Sequence, residues 1–217
     1  MKNKVGLKMN KYDWFVIICS IVLLLITFFL GFVVLKDTET NLDRRLKDHF
    51  TKMGQNSLIA MMAKITKFGN VETLMIISIP IVFFTVSQHN YVSASSIIMS
   101  VMLSVIAVHT LKFVFRRKRP KVNKGINYFG YSFPSGHSCV SMSFYLTIAY
   151  VLSYGYKFFF VTMLIAIVFA FMIAVSRIIL GVHWFTDVVI GSLMGLICAY
   201  WSIYMFRMNY YFTFIFG

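Results

Sequence analysis

The sequence predicts an all-α, polytopic membrane protein in which six transmembrane helices form one bundle. Hydrophobic residues make up 59% of the 217 residues and charged residues only 13%, far from the composition of a soluble domain. A spanning helix needs roughly 20 apolar residues. Uncharged stretches near or above that length cover residues 14–35, 73–111, 125–156, 158–176 and 188–206. The second is long enough for two spans, so we expect one membrane-integral domain over residues 1–217.

The first apolar stretch follows a lysine cluster that resembles the charged start of a signal peptide. That cluster comprises Lys2, Lys4, Lys8 and Lys11. The stretch itself has 22 residues and no small-x-small cleavage pattern, which favours a first helix that is retained.

Residues 36–70 mix charged with apolar side chains at helical spacing. The apolar positions are Leu42, Leu46, Phe50 and Met53, then, after Gly54, Leu58, Met61, Met62, Ile65 and Phe68. This pattern predicts two short amphipathic helices in the membrane interface, between transmembrane helices 1 and 2. A solvated connection without regular structure is the alternative.

The remaining helices follow in order. Helix 2 is predicted over residues 70–87, with a kink at Pro80, and helix 3 over residues 92–115, with the polar patch 87–91 between them. Pro120 ends any continuation of helix 3. A turn-rich loop, residues 127–137, then opens into helix 4, and helices 5 and 6 occupy the last two apolar stretches.

The formal net charge of +14 is confined to short loops between hydrophobic helices. Such a distribution favours membrane lipids or an anionic substrate as partners over nucleic acid. The loop bases Arg116, Arg117, Lys118, Lys121 and Lys124 are interpreted as attracting anionic headgroups.

Two arguments about orientation conflict. Positive-inside counting favours a cytoplasmic location both for the N-terminal lysines and for the basic loop 116–124, but six spans put the two on opposite sides. Since the loop's charges have a second use, described next, we expect both termini in the cytoplasm and the active face outside.

Six spans bring three polar clusters to one membrane face. The clusters are Lys112 with Arg119; Ser135, Gly136 and His137; and Arg177, His183 and Asp187. Two guanidinium forks, an ammonium, a hydroxyl and backbone N–H groups at a helix start suit a tetrahedral dianion. Asp187 follows His183 by four residues, a spacing that puts both on one face if a helix starts there. The clusters therefore predict a phosphate site with an oriented imidazole.

The spacing within the clusters is more specific than any cluster alone. Lys112 precedes Arg119-Pro120 by six intervening residues, Pro134-Ser135-Gly136-His137 follows, and Ser176-Arg177 precedes His183 by five and Asp187 by a further three. This combination, within residues 112–187, resembles the signature of the type 2 phosphatidic acid phosphatase family.

The resemblance implies a lipid phosphate phosphatase that needs no metal, with a fold core shared with vanadium-dependent haloperoxidases. By this resemblance His183 attacks phosphorus to form a phosphohistidine, Asp187 holds its far nitrogen, and His137 protonates the leaving group and then activates water. The residues implied to bind the phosphate oxygens are Lys112, Arg119, Ser135, Gly136 and Arg177.

No metal or other cofactor is expected. One carboxylate and two histidines in the motifs leave a two-metal site short of ligands. The three cysteines, Cys19, Cys139 and Cys198, form no Cys-x-x-Cys pair and predict small core residues, without a disulfide or zinc site.

The sequence leaves two alternatives to hydrolysis open. A basic intramembrane pocket also suits a non-hydrolytic anion or phospholipid carrier, and a lipid phosphotransferase would use the same residues. Undecaprenyl diphosphate and phosphatidylglycerol phosphate are the favoured substrates of a bacterial member of this kind. A monomer suffices for the chemistry, and the oligomeric state stays open.

Overall fold

The computed structural model describes residues 11–36, 39–52, 56–120 and 130–216. Every regular element in these ranges is helical, which confirms the all-α class. The α-helices are α1 (Lys11–Lys36), α2 (Asn41–Lys52), α3 (Asn56–Ile65), α4 (Val71–Ser87), α5 (Tyr91–Phe115), α6 (Gly136–Ser153), α7 (Phe159–Ile179) and α8 (Phe185–Phe216). A 3₁₀ turn, Thr66–Gly69, links α3 to α4.

Local sequence explains where two of the long helices begin and end. Asn90 precedes α5, and its side-chain oxygen accepts the Ser93 N–H at 3.1 Å, so the long apolar stretch 73–111 divides where predicted. At the end of α7, Gly181 has φ +68°, a left-handed conformation that glycine adopts at little cost. This turn directs the chain back into α8.

Two short helices, α2 and α3, lie between α1 and α4 as predicted, but α2 half-buries only part of the predicted stripe, Leu46 and Phe50. Leu42 is 49% exposed, whereas Asp43 beside it is 1% exposed. Phe50 packs against the α7 and α8 side chains Ala174 and Val188. The α2 helix thus docks on the bundle with a carboxylate inside it. Met53 and Gly54, which belonged to the predicted stripe and its break, lie outside the described residues.

The α6 helix is the centre of the bundle and packs against α5, α7 and α8. Its buried face is rich in hydroxyls, which are satisfied locally or across the interface. Ser143 Oγ donates to the Ser100 carbonyl of α5 at 2.9 Å, and Thr147 Oγ1 donates to the Ser143 carbonyl at 2.8 Å. Protein therefore surrounds α6, which removes the need for an apolar sequence all round it.

The polar sequence of α6 explains why the six-span count is not confirmed. Among the described residues, four helices are long and apolar enough to cross a membrane: α1, α5, α7 and α8. The segment from α3 to α4, bent by 54°, could supply a fifth as a broken span. The α6 helix is too polar to count by composition alone, and α4 by itself has only 17 residues.

Two glycines let α8 approach α6 closely. Gly191 and Gly195, spaced as in the small-xxx-small motif of membrane helix pairs, face the α6 backbone. A Cβ at 191 would lie 2.5 Å from the Ser135 carbonyl oxygen. A Cβ at 195 would overlap the Cys139 carbonyl oxygen and lie 2.7 Å from Met142 Cβ. The sequence carried this signal, although our sequence interpretation did not use it.

We expect Gly195→Ala to destabilise the protein by about 1–3 kcal/mol, because the obstructing carbonyl belongs to a helix backbone that cannot rotate away. Thermal unfolding in detergent measures the effect as a lowered Tm. Ser192→Ala, on the same helix, is the matched control and should leave Tm nearly unchanged. Equal Tm values for the two variants would contradict the close packing of α6 and α8.

Both cysteines of the bundle core, Cys139 and Cys198, are buried and free as expected, whereas Cys19 on α1 is exposed. The prediction of a core position is therefore wrong for Cys19. Its helix places only a small part of its surface against the rest of the described bundle, chiefly through α5 and α8.

Candidate active site

The first predicted cluster comes from the end of α5 and the segment after it. Lys112 lies in the last turn of α5, half-buried, and its Nζ is 3.9 Å from the point where a Cβ of residue 136 would stand. Arg119 is held by the carbonyls of Gly130 and Val182, each 3.1 Å from a guanidinium nitrogen. Lys112 therefore lies beside the second cluster, and Arg119 lies beside the third.

The second cluster forms the start of α6. Ser135 precedes the helix and is fully buried, and its N–H donates to the Asp187 carbonyl at 2.9 Å. Its hydroxyl accepts a bond from Ser138 Oγ at 2.9 Å, so its own proton can be donated to a ligand. Gly136 is the first residue of α6, where backbone N–H groups carry no helical partner.

His137, in the first turn of α6, is oriented by a residue that the sequence analysis missed. Its Nε2 lies 2.6 Å from Asn70 Oδ1, at the junction between the 3₁₀ turn and α4. The adjacent Gly69 is needed there, since a Cβ would stand 3.1 Å from His137 Cδ2 and 2.6 Å from Ile173 Cγ2. The bend before α4 thus places the Asn70 amide oxygen within hydrogen-bonding distance of the His137 imidazole.

The third cluster holds the predicted nucleophile. His183 lies between α7 and α8 and is 3% exposed. Its Nδ1 is 3.5 Å from Asp187 Oδ2, and its Nε2 is 3.2 Å from Arg119 Nη1. An arginine only donates, so this arrangement assigns the lone pair to Nε2 and the proton to Nδ1. The nitrogen predicted to act as the nucleophile therefore faces the guanidinium of Arg119.

The geometric reason given for the His183–Asp187 pair was wrong. The α8 helix begins at Phe185, so His183 is not on its surface. Asp187 instead reaches back to the start of the helix, where its Oδ2 accepts the Trp184 N–H at 2.9 Å. That contact turns the carboxylate toward the residue before Trp184, which is His183.

Burial controls the protonation of His183. Desolvation lowers the pKa of His183 to about 4, opposed by the hydrogen bond and charge of Asp187 and reinforced by Arg177 and Arg119. The imidazole is therefore neutral at pH 7, the form that can act as a nucleophile.

The electrostatic interactions show that the three clusters converge. Lys112 is close enough to interact electrostatically with Arg119, Arg177 and Asp187. His137 interacts in the same way with Lys112, Arg119, Arg177 and His183. Arg177 lies in the last turn of α7 and donates from Nη1 to Thr66 Oγ1 at 2.6 Å, another contact absent from the sequence analysis. The structure thus brings all eight predicted site residues into one region.

Arg117 corrects the sequence interpretation most strongly. It was grouped with headgroup-attracting loop bases, but its side chain is 0% exposed and pairs with both Asp43 and Asp187. Arg116 and Lys118 are exposed as expected. Lys121 and Lys124, together with the loop residues 127–129, lie outside the described residues.

Ser132 is a further site residue that motif spacing did not reveal. Its hydroxyl donates to Asp187 Oδ2 and lies 3.4 Å from His183 Nδ1. It belongs to the turn-rich loop before α6, which was noted for its turns and not for its chemistry. Within the part of the chain that the structure describes, no group of three His, Cys, Asp or Glu side chains could hold a metal.

A cavity of about 330 Å³ opens beside the cluster, between α4, α5 and α6. Lys112, Gly136 and His137 form one polar part of its wall, and Asn70, Glu72 and His109 another. The rest is mostly apolar: Gly69, Val71, Val105, Val108 and Val140. Its size and mixed lining suit the part of a lipid next to its headgroup.

A family model described as the PAP2 superfamily matches residues 93–211, more than half of the chain. The chain belongs to the PAP2 superfamily. This match confirms the resemblance carried by the three motifs. "Phosphatidylglycerophosphatase B" of Bacillus subtilis (strain 168) is 37% identical over 91 residues, which cover 40% of this chain and 45% of that protein. The aligned segment thus spans less than half the length of this curated relative.

Two solved structures show the same architecture as this PAP2 chain. The crystal structure of a transmembrane PAP2 type phosphatidylglycerolphosphate phosphatase from Bacillus subtilis matches with a TM-score of 0.71 at 25% identity, covering 84% of this chain and 92% of the other. Aquifex aeolicus LpxE matches with a TM-score of 0.61 at 27% identity, covering 77% and 98%. Together with the apolar helices, these similarities identify an integral membrane protein.

Proposed function

We propose that the protein hydrolyses the terminal phosphate of a membrane lipid phosphate or diphosphate through a phosphohistidine on His183. The observation that carries the proposal is the geometry at His183: the buried imidazole lies between Asp187, 3.5 Å from its Nδ1, and Arg119, 3.2 Å from its Nε2. The similarity to proteins named as phosphatidylglycerol phosphate phosphatases supports the same class of reaction.

In the first step, His183 Nε2 attacks phosphorus while the bond from phosphorus to the lipid oxygen breaks. Arg119 and Arg177 balance charge on the equatorial oxygens, with Lys112, the Ser135 hydroxyl and the Gly136 N–H as further donors. Asp187 accepts the hydrogen bond from Nδ1–H, which keeps that proton on His183, and its charge stabilises the positive charge that develops on the ring.

His137 supplies the proton that the leaving oxygen needs. A bound phosphate dianion would offset the positive charges around His137 and so favour the protonated imidazole. In the second step, the neutral His137 accepts a proton from water as that water attacks the phosphohistidine. The bond from phosphorus to Nε2 breaks, inorganic phosphate leaves, and His183 is restored.

The membrane arrangement that fits this site has six spans. The six spans are α1, the bent α3–α4 segment, α5, the protein-enclosed α6, α7 and α8. Six spans put both termini on one side of the membrane, which we propose is the cytoplasm, with the site at the extracytoplasmic face. The cavity between α4, α5 and α6 would take the glycerol or prenyl end next to the reacting phosphate.

Phosphatidylglycerol phosphate is the leading substrate because the names of two similar proteins specify it, and undecaprenyl diphosphate is the other favoured one. We expect purified protein, in detergent with added phospholipid, to release phosphate from at least one of them in EDTA. Phosphatidic acid is the third lipid tested in the same assay. Turnover only with added divalent metal would contradict the metal-free reaction, and binding without release would instead support a carrier.

A further inference from the structure

A buried ion-pair network joins α2 to Asp187. Arg117 Nη2 lies 2.7 Å from Asp43 Oδ2, and Arg117 Nη1 lies 2.6 Å from Asp187 Oδ1. All three side chains are fully enclosed. An enclosed charge is costly unless it is paired and hydrogen-bonded, so each member of the network depends on the other two.

Arg117 determines which oxygen of the Asp187 carboxylate faces His183. Oδ1 accepts from Arg117, while Oδ2 accepts from Ser132 and from the Trp184 N–H and faces His183 Nδ1. Rotation of the carboxylate would break all of these bonds together. The guanidinium therefore keeps a particular oxygen directed at the imidazole.

Asp43 balances Arg117 and ties it to the start of α8. Its Oδ1 accepts the Thr186 N–H at 3.0 Å, and the Thr186 hydroxyl lies 3.1 Å from Oδ2. The same hydroxyl accepts from Arg117 Nη1 at 2.7 Å. Asp43 also has a local role at the start of α2, where its N–H donates to Thr40 Oγ1 at 3.1 Å. The carboxylate takes part in both, since its Oδ2 also accepts the Thr40 N–H at 3.4 Å while it pairs with Arg117.

Charge explains why a second carboxylate is needed. Arg117 alone would neutralise Asp187 and weaken its support for a positively charged imidazole. With Asp43 present, two carboxylates share one guanidinium, and the network keeps a net negative charge beside His183.

We propose that Asp43 and Arg117 are positioning residues for the reaction: Asp43, from the amphipathic α2, orients and balances Arg117, which holds Asp187 against His183. The inference rests on the proposed phosphatase activity. It makes correct docking of α2 a condition for turnover, although α2 contributes none of the predicted phosphate ligands.

The test compares Asp43→Asn with Asp48→Asn, a matched change at an exposed acid of the same helix. Loss of a charge-assisted bond predicts a kcat about 10- to 100-fold lower for Asp43→Asn. The KM and the inhibition constant of inorganic phosphate should stay within about twofold of wild type, because the phosphate donors are untouched. Asp48→Asn should behave as wild type in all three measurements.

A second variant covers the case in which Asp43→Asn fails to fold. Thr186→Val keeps the shape and removes the hydroxyl shared by Asp43 and Arg117, so kcat should fall by about three- to tenfold at unchanged KM. Unchanged kcat in the folded variants, or a raised KM with unchanged kcat, would overturn the inference while leaving the phosphatase activity intact. Wild-type protein without turnover on any lipid phosphate would overturn the proposed function, and the inference with it.

Discussion

Replacing His183 with alanine is expected to reduce phosphate release by about 10⁴- to 10⁶-fold, since the variant lacks the atom that forms the covalent intermediate. Steady-state release from the best lipid substrate measures the loss. In the wild-type protein, rapid quenching after addition of substrate labelled on its terminal phosphate should also trap protein-bound phosphate that survives alkali and is lost in acid, the behaviour of a phosphorus–nitrogen bond.

His89→Ala is the matched control for this experiment. His89 is an exposed histidine between α4 and α5 and belongs to none of the three clusters. It should retain wild-type turnover and the same trapped intermediate. If His183→Ala kept turnover near the control level, or if phosphate were trapped in that variant, the assignment of the nucleophile would be wrong.

Replacing His137 with alanine is expected to lower turnover of an alkyl phosphate lipid by about 10²- to 10⁴-fold, because the leaving oxygen and then water lose their proton-transfer partner. A substrate with a good leaving group, such as an aryl phosphate, needs less help in the first step. The variant should therefore lose less of its rate of intermediate formation with the aryl phosphate, and the phosphohistidine should accumulate.

His109→Ala controls for the removal of an imidazole near the same cavity. His109 lines that cavity from α5 but is exposed, and its Nδ1 bonds to the Val105 carbonyl of its own helix at 2.9 Å. It should leave kcat on both substrates nearly unchanged, and any effect should fall on KM, because His109 borders the part of the cavity proposed for the lipid. An equal loss on alkyl and aryl phosphates in His137→Ala would argue for a purely structural role of His137.

The motifs, each short in sequence, named eight residues that the structure brings into one region, and the roles of these residues stay predictions. Within a motif, a separation of four or seven residues allows the side chains to meet once the local turn has formed, as the Trp184 N–H contact shows for Asp187 and His183. The predicted six-span pattern placed the three motifs at one membrane face. The structure brings Lys112, Arg119, Arg177, His137 and His183 together, but it does not confirm the span count.

The supporting residues could not be predicted in the same way. Asp43 pairs with Arg117 from 74 positions away, and Asn70 reaches His137 from 67. Neither pair has a spacing that periodicity can reveal, and an aspartate in an amphipathic helix ordinarily faces water. The sequence therefore predicted correctly that two short helices follow α1, but it did not reveal that Asp43 of α2 is buried.

The amino-acid sequence by itself determined the all-α class, the membrane character, the PAP2 motifs and the positions of the long helices. These properties follow from hydrophobic content, helical periodicity and short spacings, which are local along the chain. Only the tertiary structure decided that α6 is the protein-enclosed centre, that Asn70 orients His137, and that Asp43 and Arg117 support Asp187. Such contacts depend on how helices pack against one another, because a buried charge selects its partner by distance in space and not by distance in sequence.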